Sequence, residues 1–412
     1  MPPLPASMRS PHRAAATRQR RRPRHLAMLI TGAALGLILA GCKTSDVLFA
    51  ATEATPPETP AACTAAKPYA GQPLHPAPAA DQLPRRAPLA GQLTAALTDR
   101  LDSALDKARE ATKAQSMTAA VALPGKGLWT GRRGTDKPLF FWASAGKQAI
   151  AIVVLQLAED GKLRLSDPVA RWVDGVPNGD IITIEQLLAH TSGLFSANED
   201  ERVRRKGGRM TDADEMAILR QRGALFCPGE NWRYSNSGYA LLGKIIAKAD
   251  GRPWPQAIEA RIIRRLGLKE MRVAQPDGPT DDVALPAASD GEDGLDITVP
   301  GAAGALVASP ADMVRFEQAA LDGELLKTAS RKLMLARLYP MFDPGTFYGL
   351  GVMVYDRPDT PQRLFWIGHS GGGAGVRAVV AYDPRRHAFV AAALNGSGDA
   401  HATANLLLKA TD

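Results

Sequence analysis

The stretch "FFWASAGKQAI" (residues 140–150) sets Ser144 and Lys147 three positions apart between apolar neighbours. If a helix opens here, both side chains share one face about a turn apart. A lysine so close to a serine is either a solvated surface pair or the base that turns a hydroxyl into a nucleophile. A serine hydroxyl is a poor nucleophile until a neighbour takes its proton. One S-x-x-K is about what chance supplies in a chain of this size at average residue usage, so the rest of the sequence has to decide.

Two further motifs decide it. Tyr234-Ser235-Asn236 stands in "FCPGENWRYSNSGYALLG", and His369-Ser370-Gly371 stands in "FWIGHSGGGAG". Each occurs once in the chain, as does S-x-x-K. In this order the three motifs resemble the penicillin-recognising serine hydrolases: class C β-lactamases, D,D-carboxypeptidases, D-aminopeptidases and related esterases. "ITIEQLLAHTSGL", "PGAAGALVASPADMVRF", "YGLGVMV" and "GHSGGGAGVRAVVAYDP" fit the same family, and the resemblance runs from about residue 93 to the C-terminus.

The resemblance implies an α+β fold of the β-lactamase/transpeptidase type and an acyl-enzyme on Ser144. Lys147 or Tyr234 serves as the acylation base, and the residues leave that choice open. Asn236 would hydrogen-bond the substrate amide. The N–H groups of Ser144 and Gly372 would form an oxyanion hole, each donor worth roughly 2.7–4 kcal/mol in the transition state. His369, Ser370 and Gly371 would line the strand facing the substrate, with His369 and Ser370 orienting a carboxylate or leaving group. His369 stands where many relatives carry a lysine before Thr-Gly, which implies peptidase, esterase or amidase chemistry more than efficient β-lactam hydrolysis. The expected substrates are D-amino-acid peptides of peptidoglycan type or small esters and amides. Two alternatives stay open: a class C-like β-lactamase, and a non-catalytic muropeptide or β-lactam binder. His190 in "AHTSGL" reads as structural, tying a helix end to a loop. "GHSGGGAG" is no phosphate cradle, since it lacks a following Lys-Ser/Thr and sits on a strand. The residues call for no cofactor, and no Cys or His spacing suggests a metal.

Composition bounds the setting. The chain has 412 residues and a formal net charge of +8. Seven arginines and no acid fall in residues 1–41, so removing them leaves +1. A nearly neutral remainder gives no electrostatic footprint for nucleic acid. The arginine cluster precedes "LAMLITGAALGLILAGC", an apolar run shorter than the roughly 20 residues needed to span a bilayer. Basic, apolar and small-residue regions in that order describe a signal peptide over residues 1–41. Leu39-Ala40-Gly41-Cys42 resembles a bacterial lipobox, which implies cleavage before Cys42, lipidation of its thiol and a membrane anchor on the periplasmic side of the envelope. Lys43 after the cysteine points to the outer membrane. Cys63 and Cys227 either pair or remain free thiols.

Residues 42–92 are rich in Ala and Pro with no apolar period, so they read as an extended tether. A helix follows over residues 93–113, with Leu93, Leu97, Leu101 and Leu105 four apart. "TAAVALPGKGLWTG" reads as a hairpin about a Pro-Gly turn. Residues 145–290 are helical in pattern, with one helix capped by Thr183 and running to Gly193. The last fifty residues are strand-like and end in a helix. Strands at both ends around a helical centre predict a mostly antiparallel sheet with a helical subdomain, in one domain over residues 93–412.

Overall fold

Gly125, at a φ of 76°, turns the chain tightly after Pro124. Lys126 then donates its N–H to the Leu123 carbonyl at 2.9 Å, and β1 (Ser116–Leu123) folds back on β2 (Gly127–Arg133). This is the hairpin that the Pro-Gly pair predicts. The computed structural model describes residues 63–288, 293–360 and 363–412. The signal-peptide, lipobox and Cys42 expectations, and residues 42–62 of the expected tether, lie outside the described residues.

The remaining strands are β3 (Leu139–Phe141), β4 (Met271–Val273), β5 (Val283–Ala284), β6 (Leu306–Ala308), β7 (Tyr339–Pro340), β8 (Thr346–Tyr348), β9 (Met353–Arg357), β10 (Leu364–Gly373), β11 (Val376–Asp383) and β12 (Ala388–Asn395). Among the described residues an eight-stranded antiparallel sheet runs β2-β1-β12-β11-β10-β9-β8-β7. Ser116 pairs with Asn395, so strands from the two ends of the chain lie side by side in its middle. A smaller sheet runs β4-β6-β3-β5.

Both faces of the large sheet are covered, which is why β1 and β12 are buried at every position and read as continuous apolar runs. Ala120, Ala378, Val380 and Ala391 pack toward α2 (Lys147–Glu159) and the helix Pro310–Asp322. Ala119, Val121, Val379 and Val390 pack toward α1 (Ala95–Thr112) and the helix Ala400–Lys409. Alanine on so many inward positions lets the helices approach closely. Positions 149–155 of α2 are all buried, as expected of a helix that is apolar all round. The helix Asn236–Asp250 packs beside it and ends at Gly251, whose φ is 71°.

Two sequence expectations change. The helix α3 (Ile184–Leu188) begins with Thr183 as N-cap, as expected, but stops well short of Gly193. His190 takes the left-handed turn instead, with a φ of 60°; its surroundings are described below. The tether is also not free where it is described. Cys63 forms a disulfide with Cys227. Lys67 and Ala70 donate their N–H groups to the carbonyls of Pro228 and Glu230, both at 2.8 Å. His75 pairs with Asp356 at 2.9 Å, and Gln318 donates to the Ala87 carbonyl at 2.6 Å. An extended proline-rich segment has no hydrogen-bonded period of its own, so its backbone groups remain available to a neighbouring surface. Periodicity cannot detect such docking, and the folded unit therefore begins at or before Cys63 rather than at residue 93.

The disulfide bridges a sequence separation of 164 residues. A cross-link over so long a loop restricts the unfolded chain, a stabilisation of up to about 5 kcal/mol on the chain-entropy account. Reduction, or Cys63→Ser with Cys227→Ser, is expected to lower stability by about 2–5 kcal/mol in denaturant unfolding. An unchanged midpoint would mean that the hydrogen bonds alone hold the strap.

Candidate active site

The nucleophile candidate sits on a tightly built turn. Trp142 is pinned through its N–H to the Leu306 carbonyl and through its indole Nε1 to the Ala308 carbonyl, both at 2.9 Å. Ala143 then adopts a φ of 46°, a left-handed conformation that costs a residue with a Cβ and tends to persist at functional sites. Ala143–Gly146 form one 3₁₀ turn, and α2 begins at Lys147. Two glycines make room for it. A Cβ on Gly371 would lie 2.2 Å from the Trp142 carbonyl oxygen and 2.8 Å from the Ser144 nitrogen. A Cβ on Gly304 would lie 2.6 Å from the Ala143 carbonyl oxygen. The β9 pairing of β10 ends at Gly368↔Met353, so residues 369–373 have β11 on one side and the Ser144 turn on the other.

Ser144 and Lys147 meet as their spacing predicts. Lys147 Nζ lies 3.0 Å from Ser144 Oγ and 2.6 Å from the Ala303 carbonyl oxygen. Lys147 is 0% exposed. Burial pushes its ammonium well below the ordinary lysine value, because the dry surroundings penalise the charged form. Ser144 itself is partly exposed.

Tyr234 arrives from the helical half of the chain. Its ring centroid lies 4.8 Å from Lys147 Nζ. Burial pushes the phenol above its ordinary value, while the nearby Ser144 hydroxyl pulls the other way. The two hydroxyls interact, yet Tyr234 Oη makes no well-formed hydrogen bond. Ser235 caps the helix Asn236–Asp250 by accepting from the Gly238 N–H. Asn236 donates from Nδ2 to Asn198 Oδ1 at 3.0 Å, and Ser196 Oγ donates to the same oxygen at 2.7 Å.

The histidine motif is placed differently from the expectation. His369 is 0% exposed and both ring nitrogens are used inside the protein. Nδ1 lies 2.6 Å from the Ser370 carbonyl, which only accepts, so Nδ1 carries the hydrogen. Nε2 then accepts from the Tyr348 hydroxyl at 3.1 Å. Burial first, and the Lys147 charge second, hold His369 at about 3. The ring is neutral at physiological pH and does not offer a cation to a carboxylate. Ser370, 2% exposed, turns to the other face of the sheet, with Oγ 3.5 Å from Met353 Sδ. Gly371 backs the Ser144 turn, and Gly372 follows on the same unpaired edge, opposite Arg377.

Several participants carry no local signal. Asn198, the Ala303 carbonyl, Tyr348 and Phe342 come from loops or strand ends far from Tyr234 in the chain, and Tyr348 and Phe342 join the neighbouring Trp232 in an aromatic wall around the phenol. "PGAAGAL" and "YGLGVMV" belong to the family pattern, but only folding shows that the first supplies the carbonyl holding Lys147. Among the described residues no three His, Cys, Asp or Glu side chains gather as metal ligands would.

Comparison with known proteins shows the family and the fold. The family model for beta-lactamase matches residues 101–411. A putative penicillin-binding protein, PbpX, of Bacillus subtilis (strain 168) is 32% identical over 222 residues, covering 52% of this chain and 53% of that protein. Esterase EstB of Burkholderia gladioli is 30% identical over 251 residues, covering 52% of this chain and 62% of that one. The alignments thus span little more than half the length of these relatives. The crystal structure of a D-stereospecific amidohydrolase from Streptomyces sp. superposes with a TM-score of 0.63 at 28% identity, covering 74% of this chain and 97% of that one.

Because Gly371 abuts the Ser144 turn, Gly371→Ala is expected to displace the serine. The overpacking should cost about 1–3 kcal/mol of stability. It should also slow labelling of Ser144 by a fluorophosphonate probe. Labelling at the parental rate would show that the turn has slack that the 2.2 Å approach denies.

Proposed function

Since the chain belongs to the beta-lactamase family, we propose that it is a serine hydrolase that works through an acyl-enzyme on Ser144. The observation that carries this is the buried amine of Lys147, 3.0 Å from Ser144 Oγ and anchored on the Ala303 carbonyl. A lysine kept dry loses its proton readily, and the neutral amine is a base. Burial acts oppositely on the two base candidates: it favours the uncharged form of each, which makes Lys147 an acceptor and leaves Tyr234 a protonated phenol. Lys147 is therefore assigned as the acylation base, with Tyr234 as the group that passes a proton onward.

The steps follow from these assignments. Ser144 Oγ attacks the substrate carbonyl carbon while its proton moves to Lys147 Nζ. The N–H groups of Ser144 and Gly372 hold the oxyanion, and Asn236 holds the substrate's amide. The bond from the carbonyl carbon to the leaving nitrogen or oxygen breaks as Tyr234 gives that atom its proton, and Lys147 restores the proton to Tyr234. Water then attacks the acyl-enzyme by the same groups in reverse order, freeing the acid and Ser144.

The proposed substrates are D-amino-acid peptides of peptidoglycan type, or small esters and amides. An esterase and a D-stereospecific amidohydrolase among the similar proteins support that class. A neutral, internally bonded His369 supports esters and amides over β-lactams, whose carboxylate gains no cation from this residue. The protein is further proposed to be held on the periplasmic side of a bacterial envelope, in the outer membrane, by a lipid on Cys42.

Two measurements test the proposal. The chain should hydrolyse a p-nitrophenyl ester faster than a chromogenic cephalosporin. Ser144→Ala should abolish acyl-enzyme turnover, and Lys147→Met should lose about 10²–10⁴ of the rate. The base must be unprotonated, so the rate should rise with pH through the lowered lysine value and level off well below 10.5. Fast cephalosporin turnover would move the assignment to a β-lactamase, a stable label without turnover to a binder, and a midpoint near 10.5 would remove Lys147 as base. Separately, Cys42→Ser should release the protein from membranes, and unchanged fractionation would sink the anchor.

A further inference from the structure

His190 is a buried residue that the steps above do not use, and three observations single it out. First, it is a non-glycine residue in the left-handed region, with a φ of 60°. Second, it is 1% exposed and its Nε2 has no hydrogen-bond partner among the described residues. A buried polar group without a partner is costly, and natural proteins rarely keep one without a reason. Third, it holds Tyr234 from both sides. The His190 carbonyl accepts the Arg233 N–H at 2.9 Å. The His190 Nδ1 accepts the Ser235 N–H at 3.1 Å. The imidazole also stacks on the phenol, with centroids 4.2 Å apart and planes tilted by 33°.

We propose that His190 is a positioning residue for Tyr234: its carbonyl and Nδ1 grip the peptide N–H groups on either side of the tyrosine, and its ring backs the phenol. The inference rests on the reading that Tyr234 acts in the reaction. With Nδ1 accepting, the imidazole hydrogen sits on Nε2, so the tautomer is set by the grip itself. The ring also has to stay uncharged. Burial holds it well below the ordinary histidine value, and a protonated Nδ1 would expel the Ser235 N–H. Tyr348 and Tyr239, at 4.6 and 5.1 Å, close the other sides of the ring. The left-handed backbone at 190 points the carbonyl and the side chain toward the same loop. That geometry also accounts for α3 ending where it does.

The test separates the grip from general packing. Asparagine tolerates left-handed φ and places Oδ1 where Nδ1 stood; glutamine places its amide one carbon deeper and leaves the Ser235 N–H unpaired. His190→Asn and His190→Gln are made in the full chain, alone and with Tyr234→Phe, and assayed on a p-nitrophenyl ester with melting temperatures recorded. The expected result is that His190→Gln lowers kcat about 100-fold, as a displacement of about 1 Å can, with little change in KM. His190→Asn should recover most of that rate. In the Tyr234→Phe background, His190→Gln should add almost nothing. Equal rates for the Asn and Gln variants, or a full loss by His190→Gln on top of Tyr234→Phe, would overturn the proposal. If Tyr234→Phe alone hydrolyses the ester at the parental rate, the reading of Tyr234 fails and the positioning role falls with it.

Discussion

The central constraint is a fully buried lysine amine. Lys147 is 0% exposed at the start of a helix that is buried from residue 147 to residue 157. Its two polar contacts are the Ala303 carbonyl and the Ser144 hydroxyl. An ammonium in that position is disfavoured by desolvation, which is the condition that makes a lysine useful as a base. The apolar core on α2 and the chemistry at its first turn are therefore one feature.

Around that amine the fold assembles parts that need each other. The sheet brings β10 against the Ser144 turn, and Gly371 and Gly304 allow an approach that any side chain would block. The helical half delivers Tyr234 on a loop fastened at several points: the disulfide and strap near Cys227, the grip of His190 at 233 and 235, and the cap of the following helix at Ser235. Among the described residues, His190 Nε2 and Trp232 Nε1 in this region lack a hydrogen-bond partner, and Tyr234 Oη has only its interaction with the Ser144 hydroxyl.

Chemical identity and position separate most clearly at His369. Its place in the third motif suggests contact with substrate, and its residue type suggests a titratable site. The structure ties one nitrogen to a backbone carbonyl and the other to a tyrosine hydroxyl, and removes the charge by burial. The strand is where the motif predicts, but the side chain belongs to the wall. Ser370 shows the same effect through strand alternation: one step along β10 carries it to the opposite face.

The primary sequence determined the fold class and the meeting of Ser144 with Lys147. Apolar runs at both ends predict a sheet built from both ends, the Pro124-Gly125 turn predicts the first hairpin, and a three-residue spacing lets a serine and a lysine share one face of a turn. These are local or periodic properties, and local geometry fixes their outcome. Tertiary structure alone decided which carbonyl receives Lys147, that Asn198 holds Asn236, that the proline-rich segment from Cys63 is docked, and that His190 grips the loop of Tyr234. Each of those depends on the desolvation and hydrogen-bond pairing of groups distant in the chain, and neither quantity exists until the core has closed.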